Sequence, residues 1–207
     1  MTITTLFFDV GGVLGTNGWD RTDRREASEL FALDHEDYTR RHDASVPAFE
    51  EGLLTLDQYL DRTVFVRPRS FTPEDFKRFM YTRSEPWPDS LAVVRSVATA
   101  GGVRLCMASN ESDELTRYRE RLFGLREIFD TFLASCWIGV RKPAAIFYER
   151  ILAITSVRAE ESLFVDDREE NLVAAKALGF STIQFQSAAQ LRTELVSAGV
   201  NLNNQPG

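Results

Sequence analysis

The sequence contains few cysteines and few histidines, which limits disulfide and transition-metal chemistry. Its 207 residues include two cysteines, Cys106 and Cys136, and two histidines, His35 and His42. Two cysteines outside any CxxC pattern do not make a disulfide framework, so we interpret both as small buried hydrophobes. The two histidines lie close together in a charged segment, and we expect them to be solvated rather than to bind a metal.

Long apolar segments and runs of basic residues are also missing. The formal net charge is −7, which argues against a nucleic-acid partner because such proteins need a basic face. The apolar stretch at the N-terminus is interrupted by Asp9 and has no basic flank, so it is neither a signal peptide nor a membrane span. We therefore expect a soluble, cytoplasmic protein without a membrane partner; the sequence does not predict its oligomeric state.

Five short apolar runs with β-forming residues are present, and 43% of the chain is hydrophobic, enough for a sizeable core. Most of the runs are continuous rather than alternating, which is typical of strands covered on both faces of a parallel sheet. Amphipathic helical patterns separate the runs from Ser109 onward. This alternation predicts a doubly wound α/β fold. The predicted strands are residues 5–10, 103–109, 131–135, 162–166 and 181–185.

The segment after the first strand is polar and helical and has no convincing strand pattern. Thr55 begins a capping-box pattern, and Thr72 precedes a proline at a first helical position. These features predict a helical insertion at residues 16–84 and a core formed by residues 1–15 and 85–200. Residues 201–207 are predicted to be a frayed tail.

Reactive side chains follow the predicted strands at the edge where parallel sheets bind ligands. Asp9 follows the first strand, Ser109-Asn110 the second and Asp166-Asp167 the fourth, while Lys142 lies in the loop after the third. Each residue alone has an ordinary explanation, such as a helix cap or a surface charge. Their joint placement at one edge predicts a single site.

The chemistry of this set favours phosphate and a hard cation. Clustered carboxylates repel one another unless a cation lies between them, and ligands that offer only oxygen favour Mg²⁺. Lys142, the Ser109 hydroxyl and backbone N–H groups of Gly11, Gly12 and Asn110 are candidates to hold a phosphate. A carboxylate placed in line with phosphorus is a competent nucleophile and would form an aspartyl phosphate.

Four motifs in this order resemble those of the haloacid dehalogenase (HAD) superfamily. They are Leu6-Phe-Phe-Asp9-Val-Gly11-Gly-Val-Leu14, Leu105-Cys-Met-Ala-Ser109-Asn110, Val140-Arg-Lys142-Pro143 and Leu163-Phe-Val-Asp166-Asp167. The resemblance spans about residues 4–186 and implies a Rossmann-like core. The helical insertion is similar to the small α-helical cap of the subgroup with glucose-1-phosphatase-like and epoxide-hydrolase N-terminal-type phosphatases.

The resemblance implies a role for each matching residue. Asp9 would be the nucleophile and a magnesium ligand, together with the backbone carbonyl of Gly11. Asp167 would bind the metal directly, and Asp166 through a water molecule. Ser109 would hydrogen-bond the phosphoryl oxygens, and Asn110 would support it or contact substrate. Lys142 would bridge Asp9 and the phosphoryl group. Asn171 would be either a supporting residue or an exposed helical residue.

Position 11 departs from the family pattern. Most phosphatases of this superfamily have an Asp there that protonates the leaving group, whereas Gly11 cannot transfer a proton. Three explanations are open: another group such as Asp20 or a cap residue supplies the proton, the substrate has a good leaving group, or catalysis is lost. The residues favour an active Mg²⁺-dependent phosphatase that acts on a small-molecule phosphate monoester.

Two alternatives follow from the same residues. A 2-haloacid dehalogenase would need no Mg²⁺ and would carry an aromatic residue at position 11, and paired acids would be unneeded negative charge. A non-catalytic module would bind phosphate without turnover, and a phospho-accepting module would retain a long-lived phosphate on Asp9.

Substrate selection is expected to depend on the insertion, because the core recognises only phosphate. The candidates to line a pocket or to contact an anionic substrate are Trp19, Tyr38, Phe49, Phe79, Trp87, Arg40 and Arg41. For the aromatic residues, packing inside the insertion is the more common role.

Overall fold

The five apolar runs form one parallel sheet in the computed structural model, which describes residues 2–203. The strands are β1 (Thr5–Phe8), β2 (Arg104–Met107), β3 (Thr131–Phe132), β4 (Ser162–Asp166) and β5 (Ser181–Gln184). Their order is β3-β2-β1-β4-β5, and each neighbouring pair is parallel. Because β1 is central, a residue that follows it lies in the middle of the ligand-binding edge.

Helices connect these strands and follow the last of them. Within the described residues they are α1 (Arg21–Leu30), α2 (His35–Glu50), α3 (Leu56–Thr63), α4 (Pro73–Thr82), α5 (Pro88–Ala100), α6 (Asp113–Leu122), α7 (Ser135–Ile138), α8 (Ala145–Thr155), α9 (Glu169–Ala177) and α10 (Ala188–Ser197). The alternation of helices and strands predicted after Ser109 is confirmed.

Side-chain alternation along the strands produces a core on each face of the sheet. Leu6 and Phe8 of β1 pack in a cluster with α5 and α10, whereas Phe7 packs in a second cluster with α8 and α9. Successive side chains of a strand point to opposite faces, so both faces need apolar residues. This explains the continuous apolar runs and confirms the doubly wound α/β fold.

The strands are shorter than the apolar runs predicted. β1 ends at Phe8 rather than at residue 10, because the Asp9 side chain accepts from the N–H of Val10 and the chain then turns at Gly12, where φ is +71°. β3 has two residues, and the run expected to continue to residue 135 instead leads into α7. Cys106 is buried as expected and Cys136 is half-buried, and both are free thiols.

Helices α1–α4 form the helical insertion between β1 and α5. They surround a separate apolar cluster that includes Tyr59, Phe76 and Met80, and Leu115 of α6 joins this cluster from the core. The capping boxes expected at Thr55 and Thr72 are both present. The division into a core and a cap at 15/16 and 84/85 stays a prediction that agrees with this packing.

The end of the chain adds no regular element to the described structure. Residues 201–203 have neither helix nor strand, and the rest of the tail predicted at 201–207 lies outside the described residues. No helix within residues 2–203 has the length and apolar character required to cross a membrane.

Candidate active site

The residues predicted at the strand ends meet at a cavity of about 670 Å³ between the sheet edge and the helical insertion. The sheet edge contributes Asp9, Gly11, Ser109, Asn110 and Lys142 to its wall. The insertion and the segment that leads into it contribute Asn17, Trp19, Asp20, Arg21, Arg24, His42, Val46, Phe49 and Glu50. The cavity therefore has a wall from the core and a wall from the insertion.

Lys142 is buried and joins two of the acids. Its Nζ lies 2.9 Å from Asp9 Oδ2 and 2.7 Å from Asp166 Oδ2. The side-chain amide of Asn110 donates to the Lys142 carbonyl at 2.9 Å and accepts from the Lys142 N–H at 2.8 Å. Asn110 therefore positions the Lys142 backbone. This engagement of both ends of the amide argues against the predicted contact between the Asn110 side chain and substrate.

Asp166 is held by a complete set of donors. Its Oδ1 accepts from the Arg168 N–H at 2.9 Å, and its two oxygens each lie 3.0 Å from Asn171 Nδ2. Asn171 is buried, so the alternative of an exposed helical Asn is wrong. With Lys142 on Oδ2 as well, Asp166 is fixed by its neighbours, which suits a carboxylate that contacts a metal through water.

Asp167 differs from Asp166 in its hydrogen bonding, because its Oδ1 is buried without a hydrogen-bond partner among the described residues. Its carboxylate lies against Gly12, where an added Cβ would be 2.4 Å from Oδ2. Gly12 therefore leaves room for Asp167. The Gly12 N–H donates to the Gly15 carbonyl at 2.8 Å, so the prediction that this N–H binds a phosphate is not supported.

The negative charges of the acids at this edge lie close enough to repel one another. One carboxylate oxygen from each of Asp9, Asp166 and Asp167 lies within 4.8 Å of the others. Burial raises the pKa of Asp9; Lys142 opposes this rise and Asp166 adds to it. Burial, followed by the charges of Asp9 and Asp166, raises the pKa of Asp167 to about 6. An all-oxygen cluster with an unpartnered buried oxygen fits a hard divalent cation such as Mg²⁺.

The sequence did not identify several residues that line the cavity. His42 was expected at the surface, but it is buried, with its Nδ1 2.8 Å from the Tyr59 hydroxyl. Burial, and then Arg24, lowers the pKa of His42 to about 3, so its imidazole is neutral near pH 7. Glu111 and Arg119 also line the cavity. Glu111 directly follows the second motif, which was the one local signal for it.

Only some of the candidate substrate contacts reach this cavity. Trp19 and Phe49 line it, whereas Tyr38 and Phe79 pack in the apolar cluster of the insertion. Trp87 stacks on Phe185 at a centroid distance of 6.0 Å. Arg40 and Arg41 pair with Asp37 and line a separate surface concavity. Tyr38 and Phe79 therefore have the packing role that was the more common expectation, and Trp87, Arg40 and Arg41 do not line the cavity.

Comparisons with known proteins agree with this fold. A family model described as haloacid dehalogenase-like hydrolase matches residues 3–179. Sesquiterpene phosphatase astK of Aspergillus oryzae is 45% identical over 53 residues, which cover 26% of this chain and 27% of that protein. Flavin mononucleotide hydrolase 1 of Arabidopsis thaliana is 26% identical over 155 residues, or 75% of this chain and 62% of that protein. The chain thus matches less than two thirds of either relative.

A solved structure shows the same fold across most of the chain. It is a HAD family enzyme from Bacteroides thetaiotaomicron in complex with magnesium and inorganic phosphate. The TM-score is 0.74 at 21% sequence identity, and the likeness covers 89% of this chain and 94% of that one.

Proposed function

This chain belongs to the haloacid dehalogenase-like hydrolases, and we propose that it hydrolyses a small-molecule phosphate monoester, with Mg²⁺, through an aspartyl phosphate on Asp9. One observation carries the proposal. Asp9 lies in the cavity wall, 2.9 Å from a buried Lys142, beside the unpartnered oxygen of Asp167. That arrangement supplies a nucleophile, a positive charge for a phosphoryl group and a vacant carboxylate for a cation.

The first chemical step forms a bond between phosphorus and a carboxylate oxygen of Asp9 and breaks the ester P–O bond. Lys142 offsets the charge on the phosphoryl oxygens while it remains bound to Asp9, and its fixed position avoids reorganisation in the transition state. The Ser109 hydroxyl, buried in the same wall, donates to a phosphoryl oxygen. Water then attacks phosphorus, the bond to Asp9 breaks, and inorganic phosphate leaves.

The proposed ligands of Mg²⁺ are Asp9, the Gly11 carbonyl and Asp167 directly, and Asp166 through water. The donors already bound to Asp166 and the unpartnered oxygen of Asp167 support this division. When bound, the ion supplies positive charge that polarises the phosphoryl oxygens and lets the acids remain ionised together. Solved magnesium and phosphate complexes of the fold are in keeping with it.

The cavity favours a small substrate. Its volume of about 670 Å³ lies within the range of roughly 300–1,000 Å³ that holds drug-sized ligands. Trp19 and Phe49 offer apolar surface on the insertion side. Arg24 lies beside them, and its Nε is buried without a hydrogen-bond partner among the described residues, which favours a substrate with a second polar or anionic group. Two of the relatives are named as a phosphatase and a mononucleotide hydrolase, which supports small phosphate esters.

The test is hydrolysis of p-nitrophenyl phosphate with Mg²⁺ and with EDTA, for the wild type and for Asp9→Asn. We expect turnover that depends on Mg²⁺ and disappears in the variant, because an amide is nearly isosteric with a carboxylate but cannot attack phosphorus. Asp89→Asn makes the same chemical change at the exposed first turn of α5 and should leave turnover unchanged.

Three results would contradict the proposal. Near-normal activity of the folded Asp9→Asn variant would remove Asp9 as the nucleophile. A stoichiometric, long-lived phosphate on Asp9 would indicate a phospho-accepting module. Release of chloride from chloroacetate in EDTA, without hydrolysis of any phosphate ester, would indicate a dehalogenase.

A further inference from the structure

The space beside Gly11 is bounded by Asn17, whose Oδ1 would lie 3.1 Å from an added Cβ, and by Arg119. A Cβ added at Gly11 would lie 3.4 Å from Arg119 Nη1, and that same Nη1 lies 3.5 Å from Glu111 Oε2. An acidic side chain at position 11 would project toward this location. The carboxyl group of Glu111 therefore lies on the side of the cavity that the missing acid would occupy.

Arg119 is fixed by bonds to other groups. Its Nη2 donates to the Asn17 carbonyl at 2.6 Å and its Nε to the Ser84 hydroxyl at 3.1 Å. Gly18 leaves room for it, since a Cβ there would lie 1.5 Å from Nη2. The remaining contact, from Nη1 to Glu111, is longer than a hydrogen bond, so it orients the carboxyl group without taking up its oxygen.

Glu111 has the position and environment of a proton donor. It lines the cavity together with Asp9, and 12% of its side-chain surface is exposed. Its Oε1 accepts from the Ser112 N–H at 2.9 Å, which leaves Oε2 facing Arg119. Burial raises the pKa of Glu111 to about 7, although Arg119 opposes this rise. A group that titrates near the working pH is suited to both giving and accepting a proton.

The charged groups around Glu111 come from four elements. Arg119 faces it from α6, Glu50 from α2, Asp9 from the end of β1 and the Cys136 thiol from α7. Glu50 is itself paired with Arg141 at 2.7 Å. Arg119 is the one cation in direct contact with Glu111 among the described residues, and the two acids favour the protonated form of Glu111.

The other acids and bases of the cavity are less suitable, and Glu170 among them is exposed in the first turn of α9. Asp20 caps α1 and accepts from the N–H groups of Thr22 and Asp23 at 2.7 and 3.0 Å. Glu50 is held by Arg141. The pKa of His42 is about 3, so its imidazole is already deprotonated near pH 7 and cannot act as the general acid.

We propose that Glu111 is the general acid and general base that takes the place of the missing acid at position 11. This inference rests on the proposed phosphatase function. As Asp9 bonds to phosphorus, the ester P–O bond breaks and the proton of the Glu111 carboxyl group moves to the leaving oxygen, which departs as an alcohol. The Glu111 carboxylate then accepts a proton from the attacking water. That water forms the new P–O bond, the bond to Asp9 breaks, and inorganic phosphate leaves with Glu111 protonated again.

Glu111→Gln tests this role with two substrates in Mg²⁺. An alkyl phosphate needs a proton on its leaving oxygen, whereas p-nitrophenolate leaves without one. We expect kcat/KM for a sugar phosphate to fall by ~10²–10⁴-fold, as is typical when a general acid is removed. The variant should still release a rapid burst of p-nitrophenol equal to the enzyme concentration, followed by slow turnover as phospho-Asp9 accumulates without its base.

The pH profile gives a readout that a structural role would not change. In the wild type, kcat/KM for the alkyl ester should decline as pH rises through about 7, because the acid loses its proton. The p-nitrophenol burst should show no such decline. Glu120→Gln, the same change at a buried glutamate of α6 that does not line the cavity, is the matched control and should retain full activity.

The outcomes separate the two proposals. Suppose that the wild type hydrolyses both esters and that Glu111→Gln lowers kcat/KM for the alkyl ester by less than about tenfold, which is far short of a general acid's contribution. The proposed role of Glu111 would then be wrong, while the proposed phosphatase function would stand. A folded variant that also loses the p-nitrophenol burst would contradict the role, because the first step on that ester needs no acid. If the wild type hydrolyses neither ester with Mg²⁺, both proposals fail.

Discussion

Replacing Asp167 by Asn should stabilise the metal-free protein at neutral pH. Asp167 is half-buried near Asp9 and Asp166, and burial with these charges raises its pKa from 3.8 to about 6. Each pKa unit corresponds to ~1.4 kcal/mol, so the shift corresponds to roughly 3 kcal/mol before screening. Because the side chain is partly exposed to solvent, we expect a gain of roughly 1–2 kcal/mol in the free energy of unfolding.

The sign follows from proton linkage. The folded protein binds a proton at Asp167 more tightly than the unfolded chain does, so ionisation costs stability. Below pH about 4 Asp167 is protonated in both states, so the wild type is not destabilised; above pH about 6 the destabilisation is complete. The advantage of Asp167→Asn should therefore appear between these values and remain constant above them. Glu111 titrates in both proteins, so taking the difference between variant and wild type cancels its contribution.

The assay is urea denaturation in EDTA across this pH range, repeated with Mg²⁺. Mg²⁺ at a hundredfold excess over its Kd should stabilise the wild type by ~2.7 kcal/mol, and should stabilise the variant far less. The stability advantage of Asp167→Asn over the wild type should therefore shrink or reverse when Mg²⁺ is added. A variant less stable than the wild type at neutral pH in EDTA, or a difference that does not vary with pH, would refute the electrostatic reasoning. Equal stabilisation of both proteins by Mg²⁺ would remove Asp167 as a ligand.

The other predictions concern the backbone and the charges of the same site. Gly12→Ala should cost at least the ~1–3 kcal/mol of a strained backbone and weaken stabilisation by Mg²⁺ in thermal denaturation. Gly101 also has a positive φ, but a Cβ there would meet no atom within 4 Å. An equal loss of stability in Gly101→Ala would therefore contradict a role for the close approach of Gly12 to Asp167. Lys142→Met should lower the free energy of unfolding in EDTA by about 3–5 kcal/mol because two buried acids lose their cation; a change below about 1 kcal/mol, the scale of surface pairs, would contradict this. Gly11→Asp should restore alkyl phosphatase activity in the Glu111→Gln background, and no recovery in a folded double variant would argue against a shared proton-transfer position.

The sheet was predictable because its signals are local. Phe7 and Phe164 belong to runs that are apolar at successive positions, and only burial on both faces explains such runs. Strand ends were less predictable. The last residue of the predicted run, Ser135, begins α7, although the N–H groups of Leu133 and Ser135 still donate to the carbonyls of Met107 and Ser109 at 2.8 and 2.9 Å.

The candidate site likewise contains residues that local sequence signals predicted and residues that they did not. Asp9, Asp166 and Lys142 were found because each lies at the end of a strand or in the loop after one, where topology alone brings residues together. His42 was misplaced because its burial depends on how α2 packs on Tyr59 and over the sheet edge, a contact between elements that no local pattern encodes. Arg119 was missed because a charged residue in an amphipathic helix is usually solvated, and here it is buried against the loop that follows β1.

Gly11 is best understood together with the residues that surround it. Arg119 Nη1 lies 3.4 Å from where a Cβ of residue 11 would be, Gly18 leaves space for Nη2 of the same guanidinium, and Nη1 lies 3.5 Å from the carboxyl group of Glu111. A larger residue at Gly18 would displace the arginine and leave Glu111 buried near Glu50 and Asp9 without a cation. In the proposed mechanism, the acid missing at position 11 is replaced by a carboxyl group on the loop after β2 rather than on the loop after β1.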